Sequence, residues 1–471
     1  MSGLTIEQSA IEELAAAFCG ELLRPGDEGY DATRRVWNGM IDRRPALIAR
    51  CTGVADVVSA VNFARVNDLL IAVRGGGHSV AGNGVCDDGM MIDLSPMKGV
   101  RVDPSARTAR AQPGVTWGLF DRETNVFGLA TTGGLVSTTG MAGLTLGGGV
   151  GWLARKHGVT ADNLLSADVL TASGDVLTAS ERENEELFWG LRGGGGNFGV
   201  VTSFEYRLHD IDQVLAGAVF HPGDQLEAVL RFFRDFVADA PDELTVIAVV
   251  MTAPPFPFLP EHGHGKLAVA LAACYAGDLE TGESVLRPLR EFGQPLADVV
   301  GAMPYPALQS MFDGAYPSGL HNYWKSNYLQ GLSDAAIAVV AEHARQMPPP
   351  TANFYLEQVG GAIARRATES AFGHRDARFD FSILTSWAEP AQTDEHIAWT
   401  RRFWEAMQPH AAQSVYVNNL GAEGEDRVRA AYAPEIYDRL VRLKDEYDPH
   451  NLFRLNQNIR PSAERAGAAT S

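Results

Sequence analysis

No run of about 18 apolar residues occurs in this 471-residue chain, so a membrane-spanning helix is not expected. The opening Met1-Ser2-Gly3-Leu4-Thr5-Ile6-Glu7 carries neither a basic region nor an apolar core. Arg34-Arg35 and Arg43-Arg44 lie too far in for a twin-arginine signal, and a cytoplasmic protein is expected. Cysteine is scarce: Cys19, Cys51, Cys86 and Cys274 are scattered without a Cys-X-X-Cys pair. That argues against zinc, an iron–sulfur cluster or a disulfide framework, and no metal is expected. Basic residues are outnumbered, 39 Lys and Arg to 58 Asp and Glu, for a net charge of −19. Neither nucleic acid nor an anionic membrane is an expected partner, because both need a basic face. Internal repeats are missing, and so is the Gly-X4-Gly-Lys-Ser/Thr pattern of a P-loop.

Glycine is plentiful, at 49 residues, and it clusters. Arg74-Gly75-Gly76-Gly77-His78-Ser79 follows the apolar run Leu69 to Val73. Three successive glycines bring bare backbone N–H groups close to a ligand, as phosphate-binding loops require. Arg74 adds a positive charge and His78 a nucleophilic ring. Two further loops follow, Gly147-Gly148-Gly149-Val150-Gly151 and Gly193 to Gly199, and the chain ends with Asn451 to Ile459. Together they imply one large phosphate-bearing cofactor wrapped by distant parts of the sequence. A nicotinamide site fits poorly. Gly194-Gly195-Gly196-Asn197-Phe198-Gly199 matches Gly-X-Gly-X-X-Gly, but a helical stretch precedes it and a strand follows, the reverse of the Rossmann order.

Apolar spacing predicts a helix over residues 6–23, a strand at Leu47 to Cys51, a helix at Ala55 to Asn67 and a strand at Leu69 to Val73. The first glycine-rich loop therefore ends a strand–helix–strand unit. Near Asp210 the character changes. Strand candidates at Leu215 to Phe220, Leu244 to Met251, Leu267 to Tyr275, Phe354 to Val359 and Phe379 to Trp387 alternate with helical stretches up to about residue 410. This predicts an antiparallel sheet with helices on one face, a separate substrate domain.

Arg74 to Ser79, Gly147 to Asn163, Leu187 to Val201 and Tyr447 to Pro461 resemble, in order, the FAD-dependent oxidoreductases of the vanillyl-alcohol oxidase and p-cresol methylhydroxylase superfamily. More narrowly the chain is similar to the berberine-bridge-enzyme-like oxidases, near the 6-hydroxy-D-nicotine-oxidase-type bacterial members. The resemblance implies an α+β fold. A PCMH-type FAD-binding domain of two α/β subdomains would span 1–209, a substrate-binding domain 210–412, and a tail, 413–471, would return to the first domain. It implies FAD covalently attached through His78. Many relatives carry a second link through a cysteine in a Gly-X-Cys segment; Val136 stands there in Gly134 to Gly140, so a single link is expected. The same resemblance places Arg74, Gly75, Gly76, Gly77, Ser79, Gly82, Val136, Thr139, Gly140 and Gly143 at the cofactor. It adds Gly147, Gly148, Gly149, Gly151, Gly199, Val200, Asn456 and Asn458. Asp162-Asn163 either reaches the ribityl and phosphate groups or forms a turn, and Cys86 is either near the cofactor or a small buried thiol.

The relatives' Tyr-X-Asn-Tyr segment, whose second tyrosine takes the substrate proton, reads Tyr416-Val417-Asn418-Asn419 here. An asparagine amide has no useful basicity, so that role does not carry over to Asn419. Tyr416 either faces the flavin ring or packs in the core. Strand alternation in Phe354-Tyr355-Leu356-Glu357-Gln358 puts Tyr355 and Glu357 on one face. Glu357, with a pKa raised by burial, is the leading base candidate. Tyr323-Trp324-Lys325 and His374-Arg375 either line the substrate pocket or are structural. The expected reaction moves a hydride from a carbon bearing O–H or N–H to flavin, with dioxygen reoxidising it to give hydrogen peroxide. Another acceptor, or a flavin carrier without turnover, is the alternative. The substrate is an alcohol, a sugar or an amine, and Asn419 favours an amine. Whether the chain is a monomer or a homo-oligomer is left open.

Overall fold

The computed structural model describes residues 7–366 and 369–468. Ile6, the proposed first residue of the opening helix, lies outside them. The helix runs from Gln8 to Ala16 and is shorter than the apolar spacing suggests. Glu21–Leu23 is instead an edge strand, antiparallel to Leu47–Arg50. Gly20 permits the change, because a Cβ there would lie 1.9 Å from the Arg50 carbonyl oxygen. Periodicity alone could not separate these three residues from a helical turn, since their pairing lies in a distant strand.

The first layer is a four-stranded sheet in the order Glu21–Leu23, Leu47–Arg50, Met90–Asp93, Ile71–Arg74, its last three strands parallel. Helix Val54–Val66 makes the crossover and buries Val57, Ala60, Val61 and Ala64 against this sheet. The first glycine-rich loop leaves the C-terminal end of Ile71–Arg74, where open sheets present ligand sites. A five-stranded antiparallel sheet follows, in the order Val100–Asp103, Thr108–Ala111, Val200–Arg207, Leu164–Leu170, Val176–Ser180.

The third layer is an eight-stranded antiparallel sheet. Its main path runs Ala297–Asp298, Gln213–Pro222, Leu267–Tyr275, Leu244–Thr252, Asn353–Gln358, Phe379–Trp387, His321–Leu329, and Gly301–Pro304 also pairs with Gln213–Pro222. Helices Leu226–Phe236, Asp334–Ala344 and Thr393–Met407 cover one face, where Val246, Ala248, Phe354, Leu356, Phe381 and Ile383 form a core with Phe233, Ile337 and Phe403. The alternate residues Ile247, Val249, Tyr355 and Glu357 therefore point the other way, toward a cavity. Strand His321–Leu329 escaped sequence reading because HNYWKSNYL shows no apolar alternation.

The last segment packs back on the glycine-rich loops. Helix Pro434–Tyr447 carries Lys444 into a fully buried ion pair with Asp448 at 2.6 Å. The same ammonium donates to the carbonyl oxygens of Asn197 and Phe453, which seats the tail against the third glycine-rich loop. Among the described residues, no helix is long and apolar enough to cross a membrane.

Candidate flavin and substrate site

A cavity of about 970 Å³ lies between the glycine-rich loops and the uncovered face of the large sheet. Its loop side is backbone. A Cβ on Gly76 would lie 2.4 Å from the Cα of Gly140, so these two loops touch through bare backbone and neither position accepts a side chain. Gly75 and Gly147 are as tightly placed, against the Pro113 carbonyl oxygen at 2.8 Å and Asn418 Oδ1 at 2.0 Å. Cβ atoms on Gly143 and Gly196 would meet no atom within 4 Å, so side chains there would project into the open slot. Gly77, His78, Ser79, Val136, Thr139, Gly199, Val200 and Asn456 also line it.

Six of the residues assigned to the cofactor lie off the cavity wall, and five of them shape the loops. Gly82 turns at φ +71° against Ile41. Gly148 and Gly149 take φ of +111° and +85°, packed on Phe372 and Thr160. Gly151 meets the Gly133 carbonyl oxygen at 2.3 Å from where a Cβ would be. Asn163 Nδ2 donates to the Val159 carbonyl oxygen at 3.0 Å, and its Oδ1 lies 2.7 Å from His209 Nε2, so it makes the turn and not a ligand contact. Asn458 is likewise absent from the wall, and its Oδ1 is buried without a partner. Cys86 is a buried thiol directed at the Leu70 carbonyl oxygen.

Arg74 lines the cavity but is not a free cation. Its Nε and Nη2 grip Asp93 Oδ1 and Oδ2 at 2.9 and 2.7 Å, and its Nη1 donates to the carbonyl oxygens of Thr33 and Arg35. Anion binding at this loop therefore falls to backbone N–H groups. The half-buried His78 stacks on Trp37, with ring centroids 4.6 Å apart and planes 20° apart, and its Nε2 lies 3.3 Å from Thr138 Oγ1. Burial pushes the imidazole down to about 4, so at neutral pH it is uncharged and holds a nucleophilic lone pair.

Across the cavity, Glu357 and Asp380 are directly paired in neighbouring antiparallel strands and so share one face. Glu357 lines the cavity, and its Oε1 is buried without a partner. Asp380 lies behind it. Asp380 Oδ2 accepts from Asn419 Nδ2 at 2.9 Å, Ser382 Oγ at 3.2 Å and Tyr355 Oη at 3.4 Å. Burial pushes the Asp380 carboxyl up to about 7 against these three donors. Burial, and then the neighbouring Asp380 charge, holds the Glu357 carboxyl well above the usual range. Two such carboxyls cannot both ionise cheaply at neutral pH, so they titrate as one unit holding one proton. Asn419 is thus a donor to Asp380 and Ser382 and takes no proton itself. Asp380 was not among the sequence candidates. Its signal was a lone carboxylate inside the apolar strand FDFSILTSW.

Tyr416 lines the cavity, but its hydroxyl oxygen accepts from Gly149 N at 2.9 Å, Val150 N at 3.2 Å and Asn418 Nδ2 at 2.7 Å. Burial raises its pKa further, so it clamps the second glycine-rich loop and is no base. Tyr323 and Lys325 face the helices and not the cavity. Arg401 donates to Tyr323, while Lys325 pairs with Glu423 and lies over the Trp404 ring. Trp324, between them, points inward and meets Trp37 edge-on at 5.4 Å. His374 Nε2 lies 3.0 Å from the Ala430 carbonyl oxygen, and Arg375 forms a buried bidentate pair with Asp162 at 2.6 and 2.8 Å. Neither residue reaches the pocket.

A narrow slot floored by glycine backbone, flanked by Val136, Leu144 and Val200, suits a flat ring bearing a phosphate tail. Asn456 Oδ1 stands at its edge, buried and unpartnered within the protein, an acceptor suited to ring N–H. The residues present therefore fit FAD. Comparison with known families agrees. Residues 45–180 match the FAD binding domain model, and residues 415–460 match the model for berberine and berberine-like proteins. (R)-6-hydroxynicotine oxidase of Paenarthrobacter nicotinovorans is 32% identical, over 94% of this chain and 97% of its own. An FAD-linked oxidoreductase of Dictyostelium discoideum is 30% identical, over 96% and 97%. The crystal structure of 6-hydroxy-D-nicotine oxidase from Arthrobacter nicotinovorans superposes with a TM-score of 0.87 at 30% identity, covering 94% of this chain and 98% of that one. With the glycine cradle, the buried carboxyl pair and full-length similarity on the same chain, the protein belongs to the berberine-bridge-like FAD-linked oxidases and is an FAD-dependent oxidoreductase.

Proposed function

We propose that the chain oxidises a small neutral or cationic substrate at a carbon bearing N–H or O–H, with FAD held by a single covalent bond to His78. The observation that carries the reading is Glu357, a buried carboxyl with a free oxygen, facing the glycine cradle across one cavity. FAD, when bound, supplies the hydride acceptor, and dioxygen is the reading's electron sink, with hydrogen peroxide as product. The pair holds one proton and one negative charge, and it takes the heteroatom proton through Glu357 when its own proton sits on Asp380, whose carboxyl is fixed by Asn419, Ser382 and Tyr355. With Asn419 at the place of the relatives' tyrosine, this pair is the base available to the substrate.

Charge narrows the substrate class. Arg74 bears the one fixed positive charge among the described lining residues, and Asp93 neutralises it. Nothing there would hold an anionic substrate, whereas Glu357, in a lining shared with Trp37, Trp324 and Tyr316, favours an amine. No nucleic acid or membrane partner belongs to this reading. A reducing compartment is part of it, supported by four free cysteines, three of them buried.

The test is peroxide production on matched amines, alcohols and sugars by the wild type and E357Q. The variant should keep stoichiometric flavin and lose about 10²–10⁴-fold in the rate of flavin reduction. Flavin reduction at the wild-type rate in E357Q would remove Glu357 from the reaction, and exclusive turnover of an acidic sugar would remove the substrate class.

A further inference from the structure

Trp37 holds more than its place in the core. Its backbone N–H donates to the Gly77 carbonyl oxygen at 3.0 Å, inside the first glycine-rich loop, and its own carbonyl accepts from Gly319 at 2.9 Å. Its indole Nε1 donates to the Tyr316 carbonyl oxygen at 3.1 Å, while the ring face lies on His78. The edge of the same imidazole meets Thr138. The neighbour of Thr138, Ser137, donates through N and Oγ to Asp313 at 2.8 and 2.6 Å. Face and edge of His78 are thus held by two residues, and segment 313–319 of the substrate side anchors both holders. Tyr316 in that segment also donates to Asn353 Oδ1 at 2.9 Å, on the strand that carries Tyr355 and Glu357.

We propose that Trp37 and Thr138 are positioning residues for the histidyl–flavin bond, and that segment 313–319 sets them, so the cofactor is attached only when the substrate side is in place. The proposal rests on the reading of His78 as the attachment point. In the tautomer whose Nε2–H donates to the Thr138 hydroxyl, Nδ1 is the ring nitrogen that carries the lone pair for attack. The bond made is nitrogen to the flavin 8-methyl carbon. A C–H bond of that methyl group and the ring N–H are broken, two electrons and two protons pass to the flavin, and dioxygen removes them as hydrogen peroxide. Trp37 and Thr138 exchange no electrons or protons in this. They keep the ring from rotating off the line of attack, where a displacement near 1 Å costs about 10²-fold in rate.

The experiment follows covalent attachment and not turnover. Chain purified from flavin-limited cells is supplied with FAD, and flavin retained after acid precipitation is measured over time by absorbance and intact mass. Wild type and H78A set the limits. Thr138 is exposed, so T138V should fold as the wild type does and bind FAD in full, yet attach it roughly 10- to 100-fold more slowly. T138S should restore attachment. W37A should behave like T138V, and W37F, which keeps a ring face, should recover most of the rate. Attachment at the wild-type rate in T138V, with full FAD binding, would overturn the proposal even if W37A does not fold. Release of all flavin by the wild type would instead remove the His78 reading, and this proposal with it.

Discussion

Asp380→Asn tests the carboxyl pair without requiring a substrate. Asp380 is 3% exposed, and its carboxyl is pushed from an ordinary 3.8 up to about 7. Between those values the folded protein binds a proton that the unfolded chain has released, so stability falls as pH rises through that window. At about 1.36 kcal/mol per pH unit, the gap amounts to about 4 kcal/mol, absent below pH 3.8 and complete above pH 7. Asparagine does not titrate and removes this slope. Its amide cannot accept from Asn419, Ser382 and Tyr355 as a carboxylate does, and an unmet donor costs about 1–3 kcal/mol. The variant should therefore be the less stable protein near pH 4 and the more stable near pH 8. At about 2–4 °C per kcal/mol for domains of 150–250 residues, and less for longer chains, the difference in thermal midpoint should swing by roughly 4–8 °C. Paired melts of flavin-loaded wild type and D380N across pH 4–8 measure it. A midpoint difference that stays constant over that range would refute the assignment of a buried carboxyl titrating near neutrality.

Lys444→Met should destabilise the fold by about 3–5 kcal/mol, because it strands the Asp448 charge in the core, and K444M/D448L should recover most of that; chemical denaturation of the three proteins decides. Tyr416→Phe removes the oxygen that accepts from Gly149, Val150 and Asn418, so it should lower the melting temperature by the equivalent of about 1–3 kcal/mol and weaken FAD retention in the H78A background. Val136 lines the cavity two residues from Thr138, so H78A/V136C should retain flavin through acid precipitation where H78A alone releases it. Release from both would place residue 136 away from the flavin ring.

Much of the cofactor cradle could be read from sequence. Runs such as Gly75-Gly76-Gly77 have a physical meaning independent of context: backbone must approach something closely, and Gly76 against Gly140 shows that the first partner is another loop. At Gly148, Gly149 and Gly151 the glycines also serve loop packing, off the cavity wall. Arg74 shows a limit. A conspicuous cation beside a glycine loop reads as an anion ligand, but Asp93, brought alongside by parallel pairing of Ile71–Arg74 with Met90–Asp93, claims it first. Period-2 alternation put Tyr355 and Glu357 on one face, yet it could not say that Asp380 would be the cross-strand neighbour. Tyr323 and Lys325 failed for the related reason that a strand has two faces and Trp324 took the inner one.

The amino-acid sequence by itself determined the local matters: the elements with a clear apolar period, where side chains must be absent for backbone to approach closely, and that no cysteine stands at position 136. These depend on residue types and near-neighbour spacing. Tertiary structure decided which groups meet. Glu357 and Asp380 are 23 positions apart in the chain, and Trp37 and Trp324 are far more distant still. Their chemistry, a raised carboxyl pair and a clamped imidazole, comes from burial and mutual approach, and both are set by how the sheets pack and in what register their strands pair.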